Sequence, residues 1–112
     1  MTSNVLVYIT VPDRGEAIRI ARLMIAERLA ACANILDGMT SLYHWNGELQ
    51  ESSEAVLLLK TRQELVKSVT DRVCELHPYD VPSILAIPIT GGFQPFLNWI
   101  VAETDQPEFR QV

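Results

Sequence analysis

The chain has 112 residues, 48% of them hydrophobic, with nine basic and fourteen acidic side chains and a net charge of −5. That length holds one domain around one core, and no apolar run reaches the ~18 residues needed to cross a bilayer. An acidic chain with dispersed Lys and Arg argues against nucleic acid and anionic membrane as partners.

Cys32 and Cys74 are too few and too far apart for a disulfide framework. Reduced thiols are expected. The first residues carry no basic stretch ahead of a long apolar run, so no signal peptide is read there and a cytoplasmic setting is expected. Residues 1–112 read as a single domain, with a polar tail from about residue 105 in which Phe109 is a candidate for docking.

Val5 to Val11 is β-branched and aromatic and too short for a helix, so it reads as a buried strand that Pro12-Asp13 ends. Asp13 and Glu16 have the spacing of a capping box. Ala17, Ile20, Ala21, Met24, Ile25 and Leu29 then fall on one helical face. After Cys32 the run Ile35–Thr61 centres on Asn46-Gly47, the strongest short hairpin signal, because both residues tolerate positive φ. Each arm is about a dozen residues, or roughly 40 Å at ~3.3 Å per residue. A domain of this length has a radius of gyration of only about 13 Å. The hairpin should therefore overhang its own body and offer Tyr43 and Trp45 to a partner, with a second copy of the chain as the natural one. Glu48, Gln50, Ser52 and Glu54 should sit across from these aromatics if the two-residue turn holds its register.

Thr61 with Glu64 predicts a second capping box opening the next helix, whose stripe is Leu65, Val66, Val69, Val73 and Leu76. Cys74 reads as core beside that stripe. Pro78 stops the helix. Ile84–Ile89 is a fourth strand, and Pro88 places it at a sheet edge. Gly91-Gly92 turns the chain into a short last helix over Phe96–Glu103, with Pro95 near its start. Strand, helix, strand, strand, helix, strand is the βαββαβ order of the ferredoxin-like α+β fold, here with a long central β-hairpin and an extra C-terminal helix. Right-handed crossovers put both main helices on one sheet face. The fold hosts many activities and does not choose among them.

Four blocks then narrow the choice: Leu29-Ala30-Ala31-Cys32-Ala33-Asn34, Tyr43-His44-Trp45-Asn46-Gly47, Leu59-Lys60-Thr61 and His77-Pro78-Tyr79-Asp80-Val81-Pro82. In this order and spacing the chain resembles the CutA family of divalent-cation tolerance proteins over roughly Val5 to Ala102. The resemblance implies a homotrimer in which long strands extend the neighbours' sheets, and a part in tolerance of copper and other divalent cations. It is also similar, in architecture only, to trimeric PII signalling proteins, which leaves a signalling or scaffold role as the alternative. Copper-binding members that it resembles carry a cysteine at the position of Ile9 and a histidine at that of Leu76. Only His77 stands here, and relatives with Glu match Asp80 and Ser83. Two of the three soft or borderline ligands of those members are thus missing, and with His77 alone one subunit cannot build a tight site.

The candidate metal ligands are therefore His77 and Cys32, for copper or another divalent cation, and no cofactor is otherwise implied. The candidate ligand-binding residues are Trp45, Lys60, Tyr79 and Asp80, brought together in clefts between subunits. Each has a plain alternative. His77 also suits a helix C-terminus, Cys32 suits packing, Lys60 suits the surface, Trp45 suits a subunit contact and Asp80 suits a turn. His44 reads as a solvated or subunit-contact residue. No catalytic residue is assigned: the chain has no Gly-rich phosphate loop, no His-Glu-x-x-His and no Gly-x-Ser-x-Gly. Pro12 and Asp13 also stand where an acylphosphatase of this fold would cradle an anion.

Overall fold

The computed structural model describes residues 3–106. Strand β1 (Asn4–Val11) leads into α1 (Arg14–Ala26), the long strands β2 (Cys32–Trp45) and β3 (Glu48–Arg62), helix α2 (Val66–Leu76), strand β4 (Ile84–Pro88) and α3 (Gln94–Glu103). The four strands form one antiparallel sheet in the order β2-β3-β1-β4. This is the expected α+β arrangement with its extra helix. Pro88 lies on the edge strand, where its missing N–H costs no ladder bond. Phe109 lies outside the described residues.

Alternation divides the strands between two faces. Val5, Val7, Ile9 and Val11 of β1 and Ala55, Leu57 and Leu59 of β3 turn to one side and are 0–1% exposed. Ala17, Ile20, Ala21 and Met24 of α1, with Val69 and Val73 of α2, close over them in one core. Each fully buried Val, Ile or Leu here contributes roughly 1.5–3 kcal/mol. Ile25, expected on the buried stripe, is 40% exposed, and Leu29 lies beyond the helix. Cys74, expected in the core, is exposed.

Asp13 caps α1 by accepting from the Glu16 N–H at 2.8 Å, while the Glu16 carboxylate turns to Arg19. The second cap differs from expectation. Thr61 is still in β3, paired with Val5, and its buried hydroxyl donates to the Leu29 carbonyl at 2.7 Å. A 3-10 turn over Gln63–Leu65 intervenes before α2. Ladder pairing with β1 and a buried partner outweigh the local cap preference of threonine.

At the hairpin tip, Asn46 (φ 53°) and Gly47 (φ 80°) both take the positive angles of a type I′ turn. The register is as the two-residue loop requires, Trp45 with Glu48 and Tyr43 with Gln50. β1 supports β3 only as far as Ala55. Beyond it, Met39–Trp45 and Glu48–Glu54 form a free two-stranded ribbon, seven residues per arm or roughly 23 Å. About half of each arm thus lies on the body. The molecule measures 52 × 28 × 24 Å, with a radius of gyration of 15.0 Å.

Candidate functional site

The site is built where the segment after α2 meets the root of the ribbon. Pro78 forces His77 out of helical geometry, to φ −78° and ψ 137°. The imidazole then folds under the loop. The Tyr79 N–H donates to Nδ1 at 3.1 Å, so that nitrogen is the acceptor. Nε2 therefore bears the proton and donates to the Thr10 carbonyl at 2.7 Å. His77 is 7% exposed, and both ring nitrogens are used to pin the loop to the end of β1.

That clamp orients Tyr79. Its ring lies 4.8 Å from the imidazole, tilted by 51°. Its hydroxyl donates to Oε2 of Glu54 at 2.7 Å. Burial first, and then the Glu54 carboxylate, push the phenol well above its ordinary value, so Tyr79 remains a donor.

The ribbon supplies the other wall. Between Leu36 and Met39 the ladder slips: Asp37 and Gly38 face the single residue Ala55. This is a β-bulge, with Gly38 at φ 76°. The extra residue flips the alternation of β2. Tyr43 and Trp45 consequently share a face with Leu36 and Cys32, and with Gln50, Glu54, Val56, Leu58 and Lys60 of β3. The result is a cleft of about 720 Å³ between ribbon and loop. Tyr43, Trp45, Gln50 and Glu54 line it from the ribbon, and Tyr79 and Asp80 from the loop. Loop and hairpin thus already meet within one subunit. Among the described residues that line the cleft there is no Lys, Arg or His.

Lys60 and Cys32 are elsewhere. Six residues along β3 from Glu54, or roughly 20 Å, Lys60 Nζ donates to Asn34 Oδ1 at 2.8 Å and lies 3.9 Å from Cys32 Sγ. It also stands 5.7 Å over the Phe96 ring of α3. A smaller hollow of about 490 Å³ opens there, lined by Lys60, Phe93, Phe96 and Leu97. Of the six candidate residues, Trp45, Tyr79 and Asp80 converge and His77 supports them from beneath. Cys32 and Lys60 form a separate pair. Glu54 is the member that sequence reasoning missed as a binding group. The register counted from Asn46-Gly47 already set it across from the aromatics, but without a binding role.

Among the described residues, no three His, Cys, Asp or Glu side chains gather to hold a metal ion. The nitrogens of His77 face backbone groups, and the thiol of Cys32 has an ammonium beside it. The donors of a single subunit therefore do not fit a closed coordination shell.

The family model described as CutA1 divalent ion tolerance protein matches residues 5–103. The divalent-cation tolerance protein CutA of Thermus thermophilus is 46% identical over 99 residues, spanning 88% of this chain and 96% of that protein. The chloroplastic protein CutA of Arabidopsis thaliana is 44% identical over 101 residues, 90% of this chain. The chain spans only 56% of the length of that plant relative. The crystal structure of CutA1 from Oryza sativa superposes with a TM-score of 0.90 at 40% identity, covering 93% of this chain and 95% of that one.

Proposed function

This chain belongs to the CutA1 divalent ion tolerance family, and from that premise we propose that it serves tolerance of divalent cations, copper included, as a homotrimer that binds rather than catalyses. One observation carries the assembly. The sheet has a face that α1 and α2 do not cover, and the ribbon extends it beyond the body. Leu36, Leu85 and Ile87 on that face are 58, 58 and 44% exposed, and Trp45 is 52% exposed. Leu42 and Leu49, on the ribbon, are 62 and 68% exposed. Exposed apolar residues on the open sheet face and on both faces of the ribbon fit burial against further copies of the same chain.

Copies clasped through this face would add donors to the cleft at the ribbon root. A divalent cation would then draw on Asp80 and Glu54, with His77 or Cys32 recruited only by giving up their present partners. Light scattering on the purified chain should return three subunit masses, and a monomer at micromolar concentration would overturn the assembly. Calorimetry with copper and zinc should show weak uptake that Asp80→Asn weakens further.

A second reading is a PII-like signalling or scaffold trimer whose metal effects are indirect. It is favoured by the engagement of both His77 nitrogens with the backbone. Absence of any copper or zinc heat would move the function to this reading.

A further inference from the structure

We propose that the cleft between ribbon and loop is a receptor for a small organic cation: a primary ammonium or guanidinium group on a short apolar stem. This deepens the reading of that cleft as the ligand site and rests on it.

Three features point to this class. The first is charge. Glu54 is only 6% exposed yet lines the cleft, and Asp80 stands on the facing loop. Two carboxylates enter with no basic side chain among the described lining residues, so the cleft attracts positive charge and repels anions. The second is the walls. Tyr43, Trp45 and Tyr79 present aromatic rings, whose faces carry negative quadrupole density and attract desolvated cations. The third is fixed geometry. Tyr79 is held at its backbone N–H and its ring by His77 and at its hydroxyl by Glu54, so the Glu54–Tyr79 pair is preorganised before any ligand arrives. Ser52 Oγ, on the same ribbon face, is buried and has no hydrogen-bond partner among the described residues.

A bare divalent ion uses these features poorly. Calcium and magnesium want six or more oxygen ligands at short range, and zinc and copper prefer imidazole or thiolate donors, of which the described lining residues offer none. Three rings then contribute little, and Tyr79 keeps its proton and does not serve as a phenolate. An organic cation uses both halves of the site: its head donates charge-assisted hydrogen bonds to a carboxylate, and its stem lies against the rings. A cleft of about 720 Å³ is within the size of small-molecule sites.

The test uses the full chain with Trp99→Phe, which leaves Trp45 as the fluorescent reporter. Trp99 is on α3, stacked on Phe96 at 5.4 Å, and does not line the cleft. Butylammonium and butylguanidinium are titrated against 1-butanol, their uncharged counterpart, at matched ionic strength. Both cations should give a saturable change in Trp45 emission at concentrations at least tenfold below any response to butanol. Glu54→Gln, which keeps an oxygen for the Tyr79 hydroxyl, should weaken them at least tenfold, and Tyr43→Leu several-fold. An equal response to butanol overturns the proposal, as does cation binding unchanged in a folded Glu54→Gln. Parallel calorimetry with zinc separates the two readings. Zinc uptake without response to either organic cation defeats this inference and leaves the metal reading standing, and the reverse pattern does the opposite.

Discussion

The two faces of the one sheet are built from alternate residues of the same strands, yet they end in opposite conditions. On the helix side, Val5, Val7 and Ile9 are closed off by α1 and α2 to 0–1% exposure. On the other side, Leu36, Leu85 and Ile87 stay open, and the ribbon carries that face out past the body. α3 covers one end only, through Phe96 against Lys60, the Asn4 amide on the Leu97 carbonyl and Arg62 on Thr104. The helix side is a complete core within one chain. The open side leaves apolar residues exposed within one chain and carries two separated polar groups, Glu54 at the ribbon root and Lys60 near α3.

If that division is right, substitutions on the two sides should differ in kind. The largest effect on the fold is expected for Leu57→Ala. Leu57 is wholly buried, and losing its side chain should cost about 3 kcal/mol. Denaturant unfolding would show this, and a loss below ~1 kcal/mol would mean that the helix side is poorly packed. His77→Ala comes next. It leaves the Thr10 carbonyl and the Tyr79 N–H without their partner, which should cost about 2 kcal/mol whether or not metal is present. A variant as stable as wild type that has lost copper uptake would instead mark His77 as a ligand.

Trp45→Glu should leave secondary structure intact by circular dichroism while lowering the solution mass, because it would place charge on the exposed face proposed to meet other copies. An unchanged mass would put Trp45 outside the contact. The smallest effect is at alkaline pH. The folded chain holds the Tyr79 phenol above its ordinary value near 10. Its contribution is complete below pH ~10 and falls away above it, as the unfolded chain releases that proton first. Tyr79→Phe should therefore flatten the decline of stability above pH ~10 and change little at neutrality. An identical alkaline slope in both proteins would show that Tyr79 is not the group responsible.

The sequence exposes local backbone preference well. Asn46-Gly47, Pro78, Pro88 and Asp13 each act within a few residues, so the turn, the end of α2, the edge strand and the first cap follow directly from residue type. The alternation Val5, Val7, Ile9, Val11 likewise states its own buried face. Thr61 shows the limit. Its capping preference is real, but pairing with β1 and the Leu29 carbonyl hold it in a strand. The Asp37-Gly38 bulge was also hidden, because a two-against-one mismatch exists only relative to the partner strand.

The residue order of this protein determined its elements, its family and the presence of a long ribbon, since all of these rest on short-range periodicity and turn chemistry. The tertiary structure alone decided which candidate residues meet. Tyr79 reaches Glu54 across 25 positions of chain and His77 reaches Thr10 across 67, while Lys60 and Cys32 are carried to the far end of the same face. Such contacts are fixed by strand order, register and one inserted residue, which no local pattern encodes.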